Sequence, residues 1–456
     1  VTKMSGNTGG LLEKVQAAKD CGCKLVVIGR PAKEDGISVK EAKRLLCRKL
    51  SLQGEPEIFL VGIGMGNRES RTLEAEKILE HADLIIGAKR MVEACAKKGQ
   101  DTWAEYNSQK IAAYIQAHPE YEKVAVVLSG DVGFYSGAKK LTQVLKGRVR
   151  LVCGISSPVY FMSRIGLSWD DAVLVSTHGK TENLTAAIKQ NKKVFAILGT
   201  RDGVSQLSRK LLEYGMGELK LYVGENLSYT DEKISSGTAR DFAEYETSLL
   251  SVVCAVNENA ETFPATHGVP DEKFIRDKVP MTKEEVRTVS LAKLRLQTDS
   301  VCWDVGAGTG SVSIEMALRA WKGRVYAIEK KELAVRLLEK NKRYFGTDNL
   351  EVVEGTAPEA LKELEAPTHA FIGGSSGNMK EILDCLFRKN PRARVVINCI
   401  ALESMSEALC CLKEFPVTDT EIVQLTVSRA KTAGPYHMMM GENPIYIISC
   451  TGTGES

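Results

Sequence analysis

Histidine is scarce in this sequence. Six occur in 456 residues, scattered and without a ligand spacing, so no metal site is expected. Cysteine is more plentiful, with twelve, yet no C-x-x-C pair occurs; Cys21-Gly22-Cys23 and Cys410-Cys411 come nearest. Most cysteines stand in apolar runs such as Ser251–Ala255 and Val301–Trp303, as free, buried, small hydrophobes of a reducing compartment do. Long apolar runs are also lacking. Val124–Leu128 is typical of the longest, far below the roughly 18–20 residues of a membrane helix. No charged start with an apolar stretch and small-residue cleavage site opens the chain, so a cytoplasmic protein without a membrane partner is expected. Net charge is nearly absent: 61 basic against 58 acidic residues leaves +3, no footprint for nucleic acid. The excess sits in residues 1–54, with 11 basic and 5 acidic side chains. The chain begins at Val1 rather than Met, so a longer native chain is expected.

With 43% apolar and 26% charged residues, the sequence is that of a globular protein. Its length suggests about three folding units. Short β-branched runs alternate with amphipathic stretches throughout, which predicts α/β units on parallel sheets. Residues 1–54 read as one αβα fragment: a helix over Leu11–Asp20, a buried strand Lys24–Ile28, and a basic helix ending near Leu50. So small a unit cannot close its own core. A second segment, 55–258, opens on the strand Ile58–Val61 and runs into Gly62-Ile63-Gly64-Met65-Gly66. Further strands are expected at Ala82–Ile86, Val124–Leu128, Val149–Val152, Val173–Ser176, Val194–Leu198, Lys220–Val223 and Leu249–Val256. A polar linker, 259–270, precedes a third segment, 271–456. There a helix over Glu284–Leu294 leads into the strand Val301–Val305, and strands Arg324–Glu329, Leu350–Val353, Ala370–Ile372 and Arg394–Asn398 alternate with helices. An antiparallel pair, Glu421–Ser428 with Ile445–Ser449 around a loop, closes the chain.

Asp304-Val305-Gly306-Ala307-Gly308-Thr309-Gly310 falls where the first strand of the third segment turns into a helix. The glycine spacing is G-x-G-x-G, not the G-x-G-x-x-G of a dinucleotide loop. An acid two residues ahead suits an ammonium group better than a pyrophosphate, so S-adenosylmethionine (SAM) is the expected ligand, with Asp304 assisting its amino group. Glu329, 19 residues past the last glycine, ends the second strand and is placed to accept from ribose hydroxyls. Gly355-Thr356-Ala357 follows the third strand and is expected against the adenine. Strand, loop, acid and third-strand turn in this order predict a class I, Rossmann-like SAM methyltransferase domain.

Val279-Pro280-Met281-Thr282-Lys283-Glu284-Glu285-Val286-Arg287, Gly355–Leu361 and Phe371-Ile372-Gly373-Gly374-Ser375-Ser376-Gly377 narrow this further. These motifs, spanning most of 271–456, resemble the cobalt-precorrin-6B C-15 methyltransferases (decarboxylating) of cobalamin biosynthesis. The resemblance implies SAM contacts at Thr282, Gly306, Ala307, Gly308, Thr309, Gly310, Glu329 and Ala357. It places Gly373, Gly374 and Ser375 at the transfer site.

In the middle segment, Gly62–Gly66, Leu128-Ser129-Gly130-Asp131-Val132-Gly133, Gly154-Ile155-Ser156-Ser157-Pro158 and Ser176-Thr177-His178-Gly179 resemble, in that order, the tetrapyrrole methylase family, in particular its cobalt-precorrin-7 C-5 methyltransferases. The family's Gly-Asp-Pro reads Gly130-Asp131-Val132 here. The resemblance implies two α/β lobes with SAM between them, contacted by Gly130, Asp131, Ser156, Ser157 and the region of Leu198. Gly62, Gly64, Gly66 and His178 would lie toward the macrocycle. The fused pair is similar to the precorrin-6Y C(5,15)-methyltransferases. Residues 1–54, with Thr2–Gly6, Gly9-Gly10 and Arg30-Pro31, resemble the C-terminal end of precorrin-6A reductase, whose nucleotide-binding part is not in this chain. An upstream reductase portion is one expected partner, and self-association is another, since both methyltransferase families usually associate.

Methyl transfer to carbon is an in-line displacement at a sulfonium, and the protein's share is mainly alignment. No Ser-His-Asp or Cys-His set is found, none is needed, and no catalytic side chain is assigned. The polycarboxylate substrate calls for cations; Arg287 and Arg429 are the leading candidates, followed by Lys431 and Arg201. Tyr436-His437-Met438 either covers the macrocycle or packs a core. Two alternatives stand: two methyltransferase domains acting on another tetrapyrrole, or one active domain fused to a macrocycle-binding module. Paired cofactor stoichiometry separates them.

Overall fold

The computed structural model describes residues 1–3, 10–29, 36–50, 56–145, 148–176, 183–260 and 266–454. Two compact units form: residues 1–63 with 71–154, and residues 64–70 with 155–456.

In the first unit, five parallel strands take the spatial order Asp101–Ala104, Leu84–Gly87, Lys123–Leu128, Glu57–Gly62, Arg148–Val152. The central strands read as unbroken apolar runs because helices cover both faces. Ile58, Leu60, Val124 and Val126 pack on one side, Phe59, Val61, Ala125 and Val127 on the other. The N-terminal fragment contributes little core. Its first helix, Leu11–Asp20, buries no residue. The second, Val39–Lys49, starts from a Ser38–Glu41 capping box. The strand expected as buried is reduced to Val27–Ile28, paired only with Thr2–Lys3, and Val26, Val27 and Ile28 are 56%, 41% and 53% exposed. The sequence pattern is apolar, but among the described residues the strand stays largely exposed. Arg30 and Pro31 fall outside the described residues.

The second unit holds two larger sheets. One has the order Lys233–Thr238, Lys220–Glu225, Ser251–Val256, Lys193–Leu198, Val173–Ser176, with only the last pair parallel. Asp101–Ala104 and Lys233–Thr238 had no counterpart among the expected strands. Both are partly exposed edge strands, too polar to show an apolar run.

The other sheet belongs to the third segment. Its strands are β1 (Val301–Val305), β2 (Arg324–Glu329), β3 (Leu350–Glu354), β4 (His369–Ile372), β5 (Arg394–Cys399), β6 (Val417–Leu425) and β7 (Ile445–Gly452), with the spatial order 3-2-1-4-5-7-6. Strands β1 to β5 run parallel, and β7 enters antiparallel between β5 and β6. Helix α1 (Glu284–Leu294) takes the expected span, and α2 (Ser311–Arg319) and α3 (Glu332–Phe345) alternate with the strands. Chain order reverses beside β1, so the crevice beyond the ends of β1 and β4 is where such a sheet takes ligands. The expected loop between β6 and β7 is instead a two-stranded ribbon, Ser428–Ala433 with Tyr436–Gly441, turning at Gly434. Every residue of its two strands is exposed, including Tyr436, Met438, Met439 and Met440, so the core-packing reading of Tyr436–Met438 is excluded.

The two sheets of this unit meet through the turn between α3 and β3. Lys210 Nζ lies 2.6 Å from Asp348 Oδ2, and Asn183 Nδ2 donates to Asn349 Oδ1 at 3.0 Å. Lys189 Nζ donates to the Tyr344 carbonyl. Asn349 also donates to the carbonyls of Ala317 and Ala320, and the Asp348 side chain is only 4% exposed. This seam lies where β3 begins, at the end of the sheet opposite the glycine loop.

Candidate active site

At the carboxyl ends of β1, β2 and β3 a cavity of about 220 Å³ opens, walled by Val279, Pro280, Gly306, Gly308, Glu329, Ala357 and Gly374, among others. The loop after β1 turns back on itself: the amides of Gly306 and Ala307 both donate to the Ile328 carbonyl, at 3.0 and 3.1 Å. Gly306 has φ +79°, and a Cβ there would stand 2.9 Å from the Gly374 nitrogen. Gly308 has φ +57°, and its Cβ would stand 3.0 Å from the Pro280 carbonyl oxygen. Both are left-handed positions that glycine takes without strain. The cradle is therefore one that side chains would fill.

Glu329 is 8% exposed. Its Oε2 accepts from the Gly308 amide at 2.9 Å, and its Oε1 from the amides of Lys330 and Lys331, both at 2.9 Å. Three backbone donors fix the carboxylate at the mouth and leave one of its four lone pairs, on Oε2, for a hydroxyl donor. Gly355, Thr356 and Ala357 line the neighbouring wall. Gly374, Ser375 and Ser376 close the β4 side, whereas Gly373 packs against Phe371 instead.

Several expected contacts are corrected. Asp304 does not face the cavity: it is fully buried, and Ser313 Oγ donates to its Oδ2. Burial pushes its carboxyl up to about 7, the Glu329 charge adds to the rise, and the Ser313 bonds oppose it. A carboxyl so placed orders α2 behind the loop and cannot meet an ammonium group in front of it. Arg287 is no substrate cation either, being fully buried. Its Nε donates to Glu315 at 2.6 Å, and its Nη1 to Asp271 at 3.2 Å and to the Thr282 carbonyl at 2.6 Å. Its Nη2 donates to the Val269 carbonyl, and the guanidinium lies 4.7 Å from the Phe274 ring centre. Thr282, Ala307, Thr309 and Gly310 do not line the cavity. Thr309 is fully buried, and a Cβ on Gly310 would meet Leu338 at 2.7 Å. Arg429, on the ribbon, is bound to Glu285 at 2.5 Å and lies 3.6 Å from Glu442.

Lys330 and Lys331 also line the cavity and were not singled out by the sequence, whereas Val279, Pro280 and Ser376 stood there within motifs but without a role of their own. The lysines carried a signal, following directly on the acid at the end of β2. Val279–Pro280 was legible as part of a motif, but its place over the loop is set only by folding.

In the middle segment, Gly62 has no room for a side chain: its Cβ would meet the Gly130 carbonyl at 2.7 Å and the Gly154 nitrogen at 2.8 Å. Asp131 Oδ2 accepts from the Gly133 amide at 2.7 Å, and Oδ1 from the Gly154 amide at 3.0 Å. Gly64 and Gly66 belong to the other compact unit, where they pack on Ser70 and Tyr229. Ser156 precedes and Ser157 begins the helix Ser157–Arg164 of that unit, with no side-chain cap from Ser156, and Leu198 is buried in the unit's core. His178 lies outside the described residues.

Comparison with known proteins gives two matched regions. A family model described as a precorrin methyltransferase domain matches residues 272–451, and one described as tetrapyrrole (corrin/porphyrin) methylases matches 57–243. The chain is 42% identical over 192 residues to a probable cobalt-precorrin-6B C(15)-methyltransferase (decarboxylating) of Pyrobaculum calidifontis, across 41% of this chain and 98% of that protein. The chain belongs to the precorrin methyltransferase family. A second member, the precorrin-6Y C(5,15)-methyltransferase [decarboxylating] of Sinorhizobium sp, is 27% identical over 400 residues, covering 85% of this chain and 94% of that one. The crystal structure of a precorrin-6Y C5,15-methyltransferase from Geobacter metallireducens GS-15 is 38% identical, covers 40% of this chain and 95% of its own, and gives a TM-score of 0.38. Residues 1–54 lie outside both matched family regions. No helix among the described residues is long and apolar enough to cross a membrane.

Proposed function

We propose that the chain is a bifunctional, SAM-dependent C-methyltransferase that acts on a precorrin macrocycle at carbons 5 and 15 and removes CO₂ from the ring C acetate. The observation that carries this reading is the pairing, along one chain, of both matched regions in the order of a relative named for both positions. The cavity beside β1 fits the cofactor on its own evidence: a glycine cradle with no Cβ in the way, and a buried glutamate held by three amides.

SAM bound there supplies a methyl group on a sulfonium. The chain's own share is placement. Gly306 and Gly308 let the backbone approach, Glu329 is left to orient a hydroxyl, and Val279 with Pro280 walls off water. Lys330 and Lys331, at the mouth, are the cations that replace Arg287 as candidates for the substrate's carboxylates.

The test is stoichiometry. Incubated with the macrocycle and methyl-labelled SAM, the chain should transfer two methyl groups and release one CO₂ per product. One methyl group with CO₂ would reduce the middle segment to a binding module; none would remove the reading. Self-association belongs to the same proposal, carried by the ribbon, since an isolated two-stranded ribbon is at best marginal in water. Removal of residues 428–441 should lower the sedimenting mass to one chain, and an unchanged mass would exclude the ribbon as the interface.

A further inference from the structure

Residues 274–283 cross the β1 end of the sheet without a helix or strand of their own, and their middle, Val279–Pro280, walls the cavity. Such a stretch has no repeating hydrogen bonds to hold it. Two buried side chains hold it instead. Arg287 takes the Thr282 carbonyl at the far end. Asn341, on α3 and fully buried, takes the near end: its Oδ1 accepts from the Ile275 amide at 2.7 Å, and its Nδ2 donates to the Ile275 carbonyl at 2.9 Å. The same Nδ2 donates at 2.9 Å to the carbonyl of Thr309, inside the glycine loop. One amide group thus ties the arch to the loop it covers.

We propose that Asn341 is a positioning residue for methyl-donor binding, setting the gap between the 274–283 arch and the glycine loop. This rests on the reading that the cavity takes SAM. Asn341 touches no wall of the cavity, so its effect passes through Ile275 and Thr309. Because Pro280 already stands within 3.0 Å of where a Gly308 Cβ would be, a small shift of the arch changes the cavity's width directly.

Asn341→Asp keeps the shape of the side chain and turns both donations into oxygen–oxygen contacts. The variant should raise the KM for SAM at the C-15 site about tenfold, in line with a lost buried hydrogen bond. Its kcat at saturating SAM should change less than about threefold, a split that general destabilisation would not give. A folded variant with an unchanged KM overturns the proposal. Hydrogen exchange on the unaltered chain provides a second measurement that needs no variant. S-adenosylhomocysteine should slow exchange at the Ile275 amide together with Gly308; slowing at Gly308 alone overturns the proposal. If no amide of 304–310 responds, the SAM reading of the cavity falls, and the proposal with it.

Discussion

A chain carrying Gly308→Arg should lose S-adenosylhomocysteine from its class I domain and keep it elsewhere. Two effects add. Residue 308 sits at φ +57°, where an L side chain is strained by about 1–3 kcal/mol. Its Cβ would also stand 3.0 Å from the Pro280 oxygen, between two segments that both line the cavity. Binding there should weaken at least about 100-fold, which corresponds to about 2.7 kcal/mol. Titration calorimetry of the unaltered chain should show two sites, and Gly308→Arg one. Asp131→Arg, which breaks the staple between Gly133 and Gly154, should remove the other. A Gly308→Arg chain with both sites intact would show that the cavity does not hold the cofactor.

Arg287→Ala should destabilise the class I domain by about 3–5 kcal/mol, the usual cost of breaking a buried ion pair from one side. Glu315 is as fully buried as Arg287, and would lose its guanidinium partner while keeping the amides of Gly268 and Val269, at 2.9 and 3.0 Å. The carbonyls of Val269 and Thr282 would lose their donor as well. Urea unfolding should show the domain's transition at clearly lower denaturant. A substrate-binding arginine would behave oppositely, with an unchanged transition and a raised KM for the macrocycle. That contrast separates the sequence expectation from the structural finding.

The reason Arg287 misled is instructive. An arginine on a helix in front of a cofactor loop reads as a ligand for carboxylates, and one-dimensional spacing cannot show that Asp271 and Glu315 converge on it from either side. Asp304 misled in the same way: a strand-end acid beside a glycine loop was legible, but which face its side chain takes depends on where Ser313 lands. By contrast, Gly306, Gly308, Glu329 and Ala357 were legible because strand, turn and acid are a local pattern that survives folding unchanged. Strands β1 and β2 were read to the residue for the same reason, being central, apolar and ended by glycine or charge. The polar edge strands Asp101–Ala104 and Lys233–Thr238 were not, since half-exposed pairing leaves no apolar run to detect.

The seam at Asp348 and Asn349 bears on how such a chain could be divided. A relative almost wholly matched by 41% of this chain shows that the class I part has a counterpart of its own length. Here, however, Lys210 and Asn183 from the preceding segment complete the hydrogen bonding of the α3–β3 turn. Severing the chain in the 259–270 stretch would cut a peptide far along the sequence from that turn and leave Lys210 and Asn183 on the other piece. The place where the gene divides most simply and the place where the molecule separates are therefore different, and a split pair of halves would be expected to reassociate through this turn.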